Sequence, residues 1–454
     1  MDKVKTDRQP YFKKIFLFSI PLMLTGILQT LYSAADLVVV GRFEGDIALA
    51  AVGSTGSLTN LILALFMGLA VGAGVCVAHG IGAKQDEDVQ KTVHTAILVA
   101  FILGVAVAVL GFFLAPTMLK LMGTPDNVLS SASLYIRIIF IGAPASIMYN
   151  YAASIIRAAG DSKRPLLFLT VSGIVNVALN VLLVAVFRIG VAGVAIGTIA
   201  SQIVSAVMAL MHMRKIDGAI RLSFRRLAID RAKLKKILLI GIPSGVQSML
   251  FSFSNVILQS SINTFGSVVI AGSAAAANAE HIYYIAYHAF YDSALTFVGQ
   301  TVGAKKFTHI KRIVWSSIAC LMITAVVLTT VGIIFAEPLL KLYIPEGGET
   351  LDAAMQRFML LIVPYFLCGI MEIMSGTLRG MGRSISSAVI TLVFACGLRV
   401  VWIATVFRAF PFLICIYITY PISWILTAVV GAIMVYISVN KEIKSQKLLE
   451  IQYM

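Results

Sequence analysis

The chain has 454 residues, 59% of them hydrophobic and only 13% charged, with a formal net charge of +15. A soluble globule carries about 25% charged residues, so this composition excludes a water-soluble fold and calls for a surface that faces lipid. The positive charge is not a nucleic-acid footprint either. With the N-terminus placed inside, all but eight of the 36 Lys and Arg fall in the termini and loops on that side, and three of the eight (Arg137, Arg357, Arg399) lie inside predicted helices. Such asymmetry predicts a multi-pass protein of the cytoplasmic (inner) membrane with both termini in the cytoplasm.

Twelve apolar stretches are each long enough to cross a hydrocarbon core about 30 Å thick. They run at roughly 13–41, 48–78, 92–115, 131–157, 163–187, 190–213, 236–264, 268–298, 313–336, 353–378, 385–407 and 412–439. Long runs of Gly, Ala and Leu, in place of short alternating segments, make them helices and exclude a barrel. The first stretch is too long for a signal peptide and lacks a small-residue cleavage pattern, so it is expected to stay as a span. The basic run from Arg214 to Lys236 joins spans 6 and 7 and reads as a solvated linker against anionic headgroups. Cys76, Cys320, Cys368, Cys396 and Cys415 are scattered within apolar spans and read as small buried hydrophobes.

The twelve spans are one unit written twice. Gly82-Ala83-Lys84 recurs as Gly303-Ala304-Lys305, Ile20-Pro21 as Ile242-Pro243, and Arg157-Ala158-Ala159-Gly160 as Arg379-Gly380-Met381-Gly382, all at an offset of about 222. Residues 1–225 therefore form an N-lobe and 226–454 a C-lobe. Six spans per half is an even number, so the repeats are parallel and related by an axis along the membrane normal, an arrangement expected of a transporter that rocks around a central cleft. Gly68 with Gly72, Gly193 with Gly197, and Gly376 with Gly380 have the spacing for close helix approach, a spacing that 35 glycines also produce by chance. Pro21 lies a turn or two into span 1 and is read as a helix bend.

Polar groups at bilayer depth are costly and usually functional. Span 1 holds Asp36, and span 5 holds Asn176 and Asn180, four apart and so on one helix face. A protonatable carboxylate with two amides makes a proton or cation site; the alternative is that Asp36 only caps span 1 near the outer headgroups. Span 8 holds Glu280, His281, His288 and Asp292, span 10 holds Glu372 and span 11 holds Arg399. Glu280 and Arg399 read either as an ion pair tying spans 8 and 11 together or as substrate contacts. Glu372 falls at the repeat position of Asn150, which favours a lining role. Glu280, Tyr284, Tyr287, His288 and Tyr291 recur at helical spacing on span 8, a face suited to an organic cation or to interhelical packing. His281, His288 and Asp292 match no metal motif, and no phosphate-binding Gly-x-x-x-x-Gly-Lys-Ser/Thr loop occurs, so neither metal, ATP nor any other cofactor beyond a coupling H⁺ or Na⁺ is expected. No nucleophile–base constellation argues for an enzyme.

Ala35-Asp36-Leu37-Val38-Val39-Val40-Gly41, Ile20-Pro21, the duplicated Gly-Ala-Lys, Asn278-Ala279-Glu280, Glu372 and Leu378-Arg379-Gly380-Met381-Gly382 together resemble a bacterial branch of the multidrug and toxic compound extrusion (MATE) family. The resemblance covers essentially the whole chain. It implies an all-α polytopic protein whose twelve helices form a V-shaped pair of six-helix lobes. It also implies antiport of organic cations or amphipathic xenobiotics against inward H⁺ or Na⁺, by a monomer. Asp36 would then be the N-lobe acid that takes the coupling ion, with Asn176 and Asn180 beside it, and span 1 would bend near Pro21. Glu280, Tyr284, His288, Glu372 and Arg399 would serve substrate or a second cation. The chain departs from the family pattern where Asn180 replaces an Asp, and where span 7 offers Ser252, Ser254, Asn255 and Gln259 but no acid. It also carries His79 where many members have Gln. The rival readings are a flippase for lipid-linked saccharides, a passive channel and a membrane scaffold.

Overall fold

The computed structural model describes residues 11–452, without the side chains of Asp46, Ser54, Ser57, Asn60, Leu61, Leu449, Glu450 and Gln452. The basic residues Lys3, Lys5 and Arg8 of the N-terminal count lie outside the described residues. The secondary structure is helical: α1 Tyr11–Gly82, α2 Asp86–Leu121, α3 Asp126–Ile141, α4 Ala143–Ala158, α5 Lys163–Asn180, α6 Val191–Lys215, α7 Arg231–Ile262, α8 Ser267–Gly303, α9 Thr308–Ile334, α10 Ala336–Lys341, α11 Glu349–Ile362, α12 Phe366–Gly380, α13 Ser384–Ile390, α14 Leu398–Trp402 and α15 Leu413–Gln452. In lipid every backbone N–H and C=O must be satisfied within its own segment, which is why apolar runs of this length become helices.

α1 supplies two passes, because Gly45 (φ 79°, ψ −173°) breaks it. The backbone stays helical through Pro21, so the expected bend there is not a break of the helix. Nine described segments are long and apolar enough to cross a membrane. Spans 4 and 10, continuous in the sequence reading, are each broken: α3 meets α4 at 48° and α11 meets α12 at 50°. Pro144 opens α4 and Pro364 stands between α11 and α12; proline withholds the N–H that would continue the ladder. α8, at 37 residues, is about 55 Å long, ample for a crossing although Glu280, His281 and Asp292 interrupt its apolar run. Nine straight passes, two bent ones and α8 make the twelve that the sequence predicts.

The chain divides into two compact units, and the division follows the repeat with one exchange. Leu24–Gly245 form the N-terminal unit; of the described residues, 246–452 together with 11–23 form the C-terminal unit. The crossover comes just after Pro21 in α1 and just after its repeat Pro243 in α7. The start of α1 is held in the C-terminal unit by Tyr11 Oη to His309 Nδ1 (2.7 Å), Ser19 Oγ to Ser293 Oγ (2.7 Å) and the Phe18–Phe297 ring contact (5.2 Å). The start of α7 is held in the N-terminal unit by glycines: a Cβ on Gly68 would collide with Gly245 backbone, and one on Gly72 with the carbonyl of Ile237. This is the close approach that small residues permit. Each unit has its own core, one around Ile97, Ile136, Tyr151 and Ile155, the other around Phe290, Leu321, Phe358 and Ile373. Large apolar side chains such as Leu110, Phe113, Val326 and Ile334 stand exposed on the helices, as a protein solvated by lipid requires.

Candidate functional site

In the N-terminal unit, α1, α5 and α6 bring Asp36, Asn176 and Asn180 together with Thr198. Asn180 is fully buried and Asn176 nearly so, while Asp36 is half-buried. Asn180 Nδ2 donates to Asp36 Oδ1 (2.5 Å) and lies 3.3 Å from Asn176 Oδ1. Thr198 Oγ1 stands 3.4 Å from Asp36 Oδ2 and 2.9 Å from the carbonyl of Val194. A hydroxyl has one proton to give, and the shorter contact assigns it to Val194. Oδ2 of Asp36 is therefore left facing a hydroxyl oxygen that can accept a proton. Asp36 forms no ion pair among the described residues, so nothing cationic competes with an incoming proton or ion. Val40 of α1, Val184 just after α5, Val191 and Val194 of α6 and Tyr135 of α3 form an apolar cluster, which keeps local electrostatic effects strong.

Two features tie the backbone to this site. A Cβ on Gly197 would collide with Oδ1 of Asn180, so glycine at 197 is what admits the amide. Directly after Asn180 the helix widens into a π-turn, Val181–Val186, a distortion common at functional positions. The repeat copy carries π-turns too, at Thr391–Gly397 and at Ile403–Phe407, the latter starting 222 residues after the first.

In the C-terminal unit the expected Glu280–Arg399 pair does not form. Glu280 takes a two-pronged bond from Arg357 of α11, Nε to Oε1 at 3.0 Å and Nη2 to Oε2 at 3.1 Å, with both side chains buried. Arg357 also lies over the rings of Tyr417 (5.6 Å) and Tyr420 (5.7 Å). Glu280 is thus neutralised one span away from the partner the sequence suggested, because the α8–α11 packing brings Arg357 to it first.

The polar stripe of α8 splits in two. Tyr287 and Tyr291 are buried in the core, whereas Tyr284 and His288 are half-buried. The rings of His281, Tyr284, His288 and Tyr291 stack in series at 6.0, 5.4 and 4.7 Å. Glu372 of α12 lies beside this ladder, its Oε2 at 3.6 Å from His288 Nδ1.

Arg399, on α14, is 1% exposed. Its Nε donates to Ser423 Oγ (3.1 Å) and its Nη1 to Asn255 Oδ1 (2.9 Å), while Nη2 is enclosed with no hydrogen-bond partner among the described residues. The guanidinium lies over Phe251 (5.1 Å) and Tyr420 (4.8 Å). Thr198, Arg357, Tyr420 and Ser423 are the contacts that sequence reasoning missed. Arg357 carried a signal, a charge within an apolar span; Thr198 and Ser423 carried none.

Fold and site together define a duplicated, twelve-pass helical membrane protein with a buried acid in one repeat. The profile of the MatE family matches residues 21–182 and again 243–405, one match per repeat, and the chain belongs to that family. It is 29% identical over 406 residues to the probable multidrug resistance protein YoeA of Bacillus subtilis (strain 168), covering 87% of each chain. It is 28% identical over 291 residues to the probable multidrug resistance protein YpnP of the same strain, covering 64% of this chain and 65% of the relative. Among solved structures, an outward-facing multidrug resistance MATE family transporter of the MOP superfamily superposes with a TM-score of 0.89 at 23% identity, covering 98% of this chain and 100% of that one.

Proposed function

We propose that the protein exports amphipathic drug-like compounds by alternating access, driven by protons that enter at Asp36. The observation that carries this reading is a half-buried carboxylate set among two amides and a hydroxyl, with no basic side chain paired to it among the described residues. A sodium ion needs a shell of oxygens, whereas a proton needs only Oδ2 of Asp36 with an acceptor beside it; on that simpler requirement H⁺ is taken as the coupling ion. One charge moving down 100 mV supplies about 2.3 kcal/mol before any concentration gradient is counted, enough to bias a two-state transporter. Protonated Oδ2 can donate to Thr198 Oγ1, so the neutral acid is as well housed as the anion, the requirement for a group that must cycle between the two. Glu372, with the Tyr284 and His288 rings, supplies an acid and aromatic faces for the cationic part of a substrate. The family relatives named as multidrug resistance proteins support the same assignment.

The test is efflux of ethidium from proteoliposomes under an imposed pH gradient or, separately, a Na⁺ gradient. The expected result is efflux with the pH gradient alone, reduced to the level of protein-free liposomes in Asp36→Asn. Efflux driven by Na⁺ and indifferent to pH would overturn the proton assignment, and movement under neither gradient would overturn the export reading.

A further inference from the structure

We infer that Arg399 and Asn255 form an anion-binding site in the C-terminal unit, which takes the carboxylate of a transported compound. The substrate class thereby becomes zwitterions and carboxylate-bearing amphiphiles as well as simple cations; that second part rests on the export reading above.

Arginine cannot shed its proton at any accessible pH, so a buried guanidinium must find negative charge or remain uncompensated. Arg357 shows how this unit resolves the problem, with both carboxylate oxygens of Glu280 on its fork. Arg399 lies as deep, yet its bonds end on an amide oxygen and a hydroxyl, and it has no ion pair among the described residues. Glu280 is fully engaged elsewhere. The cluster linked through Tyr420, with Glu280, Arg357 and Arg399, therefore carries one positive charge in excess. The free Nη2 lies next to Nη1, and together they make the edge onto which a carboxylate docks with two parallel bonds.

Access runs through Asn255. That residue is exposed and Phe251 only half-buried, whereas the arginine behind them is enclosed. The Asn255 amide oxygen holds Nη1 in the place an incoming anion would take, and turning that one side chain would release Nη1 beside the unpartnered Nη2. Phe251 and Tyr420, on which the guanidinium lies, offer apolar faces to the remainder of an amphipathic ligand. Chloride satisfies the same donors, so the experiment separates it from an organic carboxylate.

Two probes differ at one group: rhodamine 110 has a free carboxylate, and rhodamine 123 is its methyl ester. Binding of each to the purified, detergent-solubilised protein is followed by fluorescence polarisation, in chloride and in gluconate buffers. Thermal unfolding is followed in the same buffers without dye. Wild type is expected to prefer rhodamine 110 by roughly tenfold or more, the range of a charged hydrogen-bond pair. In Arg399→Gln the ratio should fall to about unity, with Arg399→Lys between them, since lysine keeps the charge but loses the fork. Asn255→Asp supplies an internal carboxylate to Arg399 and should abolish the preference with no buried group removed, so the test survives misfolding of Arg399→Gln. Equal ratios in wild type and Asn255→Asp, with no chloride effect on melting in either, would overturn the site. Arg399-dependent stabilisation by chloride with equal affinities for both dyes would support the site and overturn the carboxylate substrate. Failure of ethidium efflux with Arg399-dependent chloride stabilisation intact would remove the export reading and leave the anion site standing.

Discussion

The same three-helix junction occurs in both repeats, and the two copies carry opposite charge. In the N-terminal unit, spans 1, 5 and 6 hold Asp36 among Asn180, Asn176 and Thr198; in the C-terminal unit, spans 7, 11 and 12 hold Arg399 among Asn255, Ser423 and Tyr420. Thr198 and Tyr420 are one repeat apart, and so are Ser201 and Ser423. Arg399 is repeat-equivalent to Val177, one residue past Asn176. A π-turn takes one residue more per turn than an α-turn, so the π-turn at Thr391–Gly397 brings Arg399 back to the helix face that Asn176 holds. The comparison teaches that duplication preserved a scaffold of widened helices with a polar centre, while the sign of the charge diverged. On the two readings proposed above, one copy would receive a cation and the other an anion.

The sharpest contrast lies in what neutralising each centre does to transport. Asp36→Asn is expected to abolish pH-driven ethidium efflux while the protein remains folded by size-exclusion chromatography, since Asn keeps the shape and both hydrogen-bonding positions. A coupled Asp36→Asn transporter would end the asymmetry, because the N-terminal centre would then need no charge. Stability gives the next largest contrast. Glu280→Gln leaves Arg357 buried without its anion, and breaking such a pair costs about 3–5 kcal/mol; the melting temperature should fall well below that of wild type. Arg399→Gln removes a cation that has no anion to leave behind, so its melting temperature should change far less or rise. Equal losses in the two variants would mean that Arg399 is compensated in the folded protein after all.

Much of this was readable before any coordinates. The offset of about 222 revealed the duplication, and apolar length located nine passes as single segments, the two bent ones as continuous spans, and α8 by its length despite its charged residues. Asp36 and the Asn176/Asn180 pair were singled out because polar groups in lipid are few and a four-residue spacing puts two on one face. What escaped the sequence has definite causes. Pro144 and Pro364 stand in plain view, yet a hydropathy window runs straight across the 48° and 50° breaks they accompany. Glu280 had three buried arginines in its unit, Arg357, Arg379 and Arg399, and only the packing of α8 on α11 selects Arg357. The exchange of helix starts between units was legible only in part: the Gly68/Gly72 spacing signals a close approach, but nothing along the chain says that its partners are Gly245 and Ile237, or that Tyr11, Phe18 and Ser19 meet His309, Phe297 and Ser293. Thr198 looks like any threonine in an apolar helix, and its role exists only because α6 passes Asp36.

Two substitutions on α6 refine the acidic half of the comparison. Gly197→Ala places a methyl group where Oδ1 of Asn180 now sits, so the amide must leave Asp36. Losing a hydrogen bond to a charged group costs about 1.5–3 kcal/mol, and pH-driven ethidium efflux should fall by roughly tenfold or more. Thr198→Val is milder, since it keeps the shape and removes only the hydroxyl. The Val194 carbonyl loses a second donor but keeps its place in the helix, and Asp36 Oδ2 loses an oxygen at 3.4 Å. A neutral hydrogen bond is worth about 1 kcal/mol net, so efflux should drop only about two- to fivefold. Restoring the hydroxyl with Thr198→Ser should recover most of it. Unchanged efflux in Thr198→Val would mean that the proton on Asp36 rests elsewhere than against this hydroxyl. Efflux as poor as in Asp36→Asn would make the hydroxyl an obligatory stop on the proton's route, and the acidic centre would then be a pair of groups instead of a single carboxylate.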